Sequence, residues 1–177
     1  MIEKTAKPVL YLDFDGTVRK GKAELDYFVN TADQVEVFPG VPDLLYHYRQ
    51  VGYRIVGVTN QGGIALGHMD RATCAEALRE TNRQCGNVFD FINICPHHPD
   101  AEDPKMAVCW CRKPRIGLIV EAAVILGQRF PEYYPPHMGL FVGDMDSDRE
   151  CAENAGLPFL DAAEWRTGEH LRTVMSV

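Results

Sequence analysis

An unbroken apolar run, Pro8-Val9-Leu10-Tyr11-Leu12, stops on two acids and a glycine in Asp13-Phe14-Asp15-Gly16-Thr17. Such a run predicts a buried strand over about residues 8–14. A side-chain period of two starts Asp13 and Asp15 on the same side. Gly16 lets the chain turn away sharply, which leaves both acids at the carboxyl end of a strand, where open α/β sheets place their ligands. Neighbouring carboxylates repel unless a cation lies between them or one carries a proton. Either arrangement suits phosphoryl transfer, with a magnesium ion, an aspartate nucleophile and a second aspartate as acid and base. The plain alternative is a solvated Asp-Gly turn.

Downstream, strand and helix signals alternate. Pro42 opens a helix carrying Val41, Leu44, Leu45 and Tyr48. Residues 53–58 form a second buried strand that runs into Thr59-Asn60-Gln61-Gly62-Gly63. Asp70 caps a helix to about Cys85, closed by Gly86. A strand follows over 89–94. Pro114 opens a helix with Ile116, Ile119, Val120, Ala123 and Leu126 on one face, ending at Gly127. A strand over 138–142 meets Gly143-Asp144, a helix covers about 147–154, and a short strand covers 157–160. This alternation implies parallel strands joined by right-handed crossovers, a doubly wound α/β sandwich.

The 177 residues read as one domain with a cysteine- and histidine-bearing loop at about 95–111 and no inserted cap domain. With a net charge of −7 and no basic stripe, nucleic acid is not expected as a partner. Residues 1–7 carry no signal-peptide pattern and no apolar run has membrane-spanning length, so the expected location is the cytoplasm. A monomer is compatible with all of this.

Three predicted strand ends carry polar residues: Asp13 and Asp15, Thr59-Asn60-Gln61, and Asp144 with Asp148. In a parallel sheet they share one rim. Thr59 offers a hydroxyl and the glycines after it expose backbone N–H groups, a cradle for phosphate oxygens. Asp144 can add an oxygen to a magnesium ion held by Asp13, while Asp148, one helical turn on, orients that shell. Arg19, Lys20 and Lys22 either meet a second anionic group or form a solvated basic patch. A second constellation, Cys95-Pro96-His97-His98-Pro99 and Cys109-Trp110-Cys111-Arg112-Lys113-Pro114, supplies Cys95, His97, Cys109 and Cys111 for tetrahedral structural zinc, with His98 as the alternative imidazole. Cys74, Cys85 and Cys151 read as core residues.

In order and spacing, Asp13-Phe14-Asp15-Gly16-Thr17, Thr59-Asn60-Gln61, Lys113 and Gly143-Asp144 resemble the four motifs of the haloacid dehalogenase superfamily phosphatases. The resemblance spans about residues 9–160. It implies that Asp13 is the nucleophile forming an aspartyl-phosphate, and that Asp15 protonates the leaving oxygen and then activates water. Thr59 and Lys113 would hold the transferring phosphoryl group, with Asn60 and Arg112 as substrate contacts. Asp13, the Asp15 backbone carbonyl and Asp144 would bind Mg2+. The Cys-Pro-His-His-Pro and Cys-x-Cys-Arg-Lys-Pro segments are similar to the Zn2+-containing branch that holds the heptose-bisphosphate and histidinol-phosphate phosphatases. The loop from Thr59 to Gly67 is nearer the heptose group. Leu66 stands where that group usually carries arginine, Met145 where lysine usually follows the motif aspartate, and Phe14 where arginine is common.

The implied activity is hydrolysis of a small phosphorylated metabolite, first a sugar bisphosphate and next histidinol phosphate. A polynucleotide 3′-phosphatase shares the catalytic motifs. A zinc-stabilised binding module with a vestigial site is the alternative that is not an enzyme.

Overall fold

Strand β1 (Val9–Leu12) lies at the centre of a five-stranded sheet in the computed structural model, which describes residues 5–21 and 28–172. The chain then forms a two-stranded antiparallel ribbon from β2 (Arg19–Gly21) and β3 (Val35–Val37), followed by helix α1 (Val41–Gln50). Next come β4 (Arg54–Asn60), α2 (Arg71–Gln84) and β5 (Phe91–Cys95). After them lie the short α3 (Pro104–Ala107), α4 (Gly117–Arg129), β6 (Leu140–Gly143), α5 (Asp146–Ala155), β7 (Phe159–Asp161), α6 (Ala162–Thr167) and α7 (Glu169–Arg172). The sheet order is β5-β4-β1-β6-β7 and every pair in it is parallel. From β1 the chain fills one side with β4 and β5, then crosses to the other with β6 and β7. The strand order therefore reverses at β1, where a crevice opens beyond the strand ends.

The period of two sorts β1 between two cores. Leu10, Leu12 and then Phe14 pack with Val41, Leu45 and Tyr48 of α1 and with Leu78 of α2. Val9 and Tyr11 pack with Leu118, Ala122 and Leu126 of α4 and with Cys151 of α5. The helices form as their signals direct: Pro42 sits in the first turn of α1, and the Asp70 side chain accepts from the Thr73 N–H at 2.7 Å.

The structure corrects two expectations for the helix after the cysteine loop. It begins at Gly117, not at Pro114, and its buried face is Leu118, Ile119, Ala122 and Leu126. Val120 and Ala123 face outward. The run Leu118 to Val124 is apolar on nearly every side, so periodicity alone leaves its phase undetermined. The antiparallel ribbon after Gly16 was also not expected from a stretch that reads as polar.

Gly57 in β4 makes room for Phe14. A Cβ there would stand 2.7 Å from Phe14 Cε1 and 3.0 Å from Ile92 Cγ2. Gly57→Val is expected to lower stability by about 1–3 kcal/mol through overpacking, read as a reduced urea midpoint at unchanged slope. An unchanged midpoint would mean that Phe14 moves aside freely. Among the described residues no helix is long and apolar enough to cross a membrane.

Candidate active site

The parallel register brings four strand ends to one rim. Leu12 pairs with Gly57 of β4 and with Val142 of β6, and Asn60 pairs with Cys95 of β5. Asp13 therefore follows β1 beside Val58 and Gly143, and its N–H donates to the Val142 carbonyl at 3.0 Å. Gly16, at φ 86°, sits in the left-handed region that turns the chain back, and its N–H donates to the Arg19 carbonyl. Arg166 of α6 fastens this turn from outside, donating from Nη1 to the Gly16 and Thr17 carbonyls at 2.7 and 3.1 Å.

Beyond the rim lies a cavity of about 280 Å³. Asp13, Asp15, Thr59, Asn60, Arg112 and Lys113 all line it, together with Asp148, His98, Leu66 and Met145. Lys113 Nζ, fully buried, donates to Asp13 Oδ1 at 2.5 Å and to the Val58 carbonyl at 2.9 Å, and pairs with Asp148 Oδ1 at 2.6 Å. Burial opposes the charge on Lys113, but the Asp13 and Asp148 carboxylates outweigh it and hold its pKa above the ordinary value. Burial pushes the Asp13 carboxyl up to about 7, with Lys113 pulling down and Asp148 pushing up. Asp144 is pushed up to about 6 by burial and then by Asp148, and its Oδ1 accepts from Thr17 Oγ1 at 3.3 Å.

Asp148 is the lysine's second carboxylate as well as a member of the acidic cluster, a pairing that spacing did not disclose. It reaches inward because Gly143 carries no side chain: a Cβ there would stand 2.6 Å from the Asp148 carboxyl carbon. Asp148 Oδ2 also accepts from the Met145 N–H at 3.2 Å.

The two acids of the Asp-Phe-Asp segment are held from different layers. Asp13 meets Lys113, from the loop before α4, whereas Asp15 is held on the α2 side. Its Oδ1 accepts from Arg19 Nε at 2.8 Å, and its Oδ2 accepts from Gln61 Nε2 at 2.9 Å. Gln61 Nε2 also donates to Thr59 Oγ1 at 3.0 Å. Neither Arg19 nor Gln61 was singled out for this role from sequence. Arg19 is fully buried, which overturns a solvated patch there. Lys20 pairs with Glu36 at 3.1 Å on the surface, and Lys22 lies outside the described residues.

Asn60 and Arg112 bind backbone. Asn60 Oδ1 accepts from the Lys113 N–H and its Nδ2 donates to the Lys113 carbonyl, at 3.1 and 3.3 Å. Arg112 Nη1 donates to the His97 carbonyl at 2.9 Å while the side chain borders the cavity. Through these contacts the cavity joins the cysteine cluster.

Among the described residues two clusters could hold metal ions. In one, Asp13, Asp144 and Asp148 each place a carboxylate oxygen within 4.8 Å of the others. In the second, Cys95, His97, Cys109 and Cys111 do the same with three sulfurs and one imidazole. Cys111 Sγ lies 3.2 Å from Cys95 Sγ and 3.4 Å from His97 Nδ1. His98 turns away, its Nδ1 accepting from the Asp100 N–H. Cys74, Cys85 and Cys151 are buried apart from this group.

No family model matches the chain. It is 32% identical over 166 residues to the histidine biosynthesis bifunctional protein HisB of Legionella pneumophila, covering 92% of this chain and 43% of HisB. The chain thus spans under half the length of that relative. It is 31% identical over 156 residues to the D-glycero-beta-D-manno-heptose-1,7-bisphosphate 7-phosphatase of Haemophilus ducreyi, covering 85% of this chain and 80% of the relative. Among solved structures, the D,D-heptose 1,7-bisphosphate phosphatase of B. bronchiseptica, crystallised with magnesium and phosphate, superposes at a TM-score of 0.70. That match has 28% identity and covers 86% of this chain and 78% of the other. Sequence and backbone agree over nearly the whole chain: it belongs to the haloacid dehalogenase superfamily, in the branch of the D-glycero-D-manno-heptose-1,7-bisphosphate 7-phosphatases and HisB.

Proposed function

We propose that this chain, acting as a single domain, hydrolyses a phosphate monoester of a small sugar bisphosphate through an aspartyl-phosphate on Asp13. The observation that carries the reading is the Lys113 ammonium bridging Asp13 and Asp148 at the mouth of the central strand. A buried cation beside a carboxylate facing a cavity is suited to a trianionic transition state.

In the first step an Asp13 oxygen bonds to phosphorus as the phosphorus–oxygen bond to the alcohol breaks, and Asp15 gives that oxygen its proton. In the second, Asp15 takes a proton from water as the water oxygen bonds to phosphorus and Asp13 leaves as carboxylate. Asp15 is thereby reprotonated for the next cycle. Thr59 and Lys113 hold the phosphoryl oxygens. Asn60, bonded to both polar backbone groups of Lys113, positions the lysine, and Arg112 at the cavity wall takes a further anionic group of the substrate.

The donor sets fit two different metals. Asp13, Asp144 and Asp148 bring three carboxylates against the buried Lys113 ammonium, which leaves two negative charges in an all-oxygen environment suited to Mg2+. Asp13, Asp144 and the Asp15 backbone carbonyl would hold it, and when bound it supplies positive charge toward the phosphate. Three thiols and an imidazole suit Zn2+ in a closed structural site. Removing the zinc, or Cys109→Ser, is expected to lower kcat at least tenfold by misplacing Lys113, without recovery by magnesium. Elemental analysis should find about one zinc per chain, and a fully active zinc-free preparation would refute this.

Phosphate release from a heptose 1,7-bisphosphate, histidinol phosphate and a 3′-phosphorylated oligonucleotide tests the reading. The bisphosphate is expected to have the highest kcat/KM. The similarity to HisB supports histidinol phosphate as the second reading, and a tenfold preference for it, about 1.4 kcal/mol, would reverse the assignment. No release from any substrate would leave a zinc-stabilised binding module.

A further inference from the structure

We propose that Arg19 is a positioning residue that holds the Asp15 carboxylate in its working orientation; this deepens the phosphatase reading and rests on it. Arg19 has no exposed surface, and four of its N–H bonds have acceptors. Nε donates to Asp15 Oδ1 at 2.8 Å and Nη2 to Oδ2 at 3.4 Å, so the planar fork faces both carboxylate oxygens. Nη1 is tied to α2, donating to Thr81 Oγ1 at 2.9 Å and to the Ala77 carbonyl at 3.3 Å. The guanidinium carbon lies 5.5 Å from the centre of the Phe14 ring. Asp15 lies beyond the end of β1, beside the turn that begins at Gly16, and its backbone bridges that of Arg19. The fork adds a hold on the carboxylate's rotation, and Nη1 anchors that fork to the 14-residue helix α2. Gln61 adds a third donor to Asp15 and ties it to Thr59.

A buried ion pair is a poor device for stability alone, because well-packed apolar residues serve as well or better. What a two-point fork adds is direction. A lysine reaches the same carboxylate as a single point and leaves its rotation open.

The test uses 4-nitrophenyl phosphate with magnesium and the full chain, following phosphate release. Arg19→Met is expected to lower kcat about 100-fold, within the usual worth of a positioned acid–base group, with KM changed less than about twofold. Arg19→Lys should recover part of the loss. In an Asp15→Asn background the Arg19→Met change should cost less than about twofold, because both changes disable one unit. Thr81→Val, which keeps the arginine and removes one anchor, should give a smaller loss that also vanishes in that background, and it carries the test if Arg19→Met does not fold. Wild-type kcat in Arg19→Met, or equal losses in both backgrounds with intact melting transitions, would overturn the proposal. Asp13→Asn in the same assay separates the two readings: activity there sinks the Asp13 mechanism, whereas an inert Asp13→Asn with additive Arg19 losses sinks only the role of Arg19.

Discussion

Asp13→Asn should abolish turnover, lowering kcat by about 10⁴-fold or more, while the melting temperature stays within a few degrees of wild type. An amide does not attack phosphorus, so the reaction loses its covalent route rather than a fraction of its rate. The fold should tolerate the change because Asn has the same shape and its carbonyl oxygen still accepts from Lys113 Nζ, now 2.5 Å from Asp13 Oδ1. Lys113 also keeps its pairing with Asp148. Phosphate release above a few per cent of wild type, in protein free of contaminating phosphatase, would remove Asp13 from the nucleophile's role.

Lys113→Met carries the second large effect, in two measurements at once. Removing a cation aimed at the reacting group is expected to lower kcat/KM by about 10²–10³. It also strands Asp13 and Asp148, both nearly inaccessible to solvent, with no ammonium between them. Breaking a buried pair from one side costs about 3–5 kcal/mol, which should appear as a lower urea midpoint. Magnesium should raise that midpoint more in the variant than in wild type, because a divalent cation offsets the same carboxylates. A variant with kcat/KM within threefold of wild type would contradict the placement of Lys113 at the phosphoryl group.

Much of this arrangement is legible before folding because it is local or follows a layer rule. An apolar run ending in Asp13 and Asp15 becomes a strand, and alternation with helices makes the sheet parallel. A parallel sheet then sends Asp13, Thr59 and Asp144 to one rim. The cysteine pairs announce their cluster by chelate spacing, and the register of Asn60 opposite Cys95 explains why that cluster abuts the cavity.

What failed to show in the sequence is where each charge finds its counter-charge. Arg19 reads as one basic residue in a polar stretch: Asp15 is four residues away, but the anchors that bury the arginine, Thr81 and Ala77, lie 62 and 58 residues away and meet it only once α2 lies across the ribbon. Arg166 has no local signal, being 150 residues from the turn it clamps. The phase of α4 was undecided for the opposite reason, an excess of apolar residues on every side.

The sequence by itself determined the strand ends, their acids and the cysteine–histidine cluster, because hydrophobic periodicity and short residue spacing act over a few residues. Only the tertiary structure decided that Asp13 pairs with Lys113, 100 residues away, and that Arg19, four residues from Asp15, is buried against α2. Burial forces each charge to take a partner, and packing determines which partner is within reach.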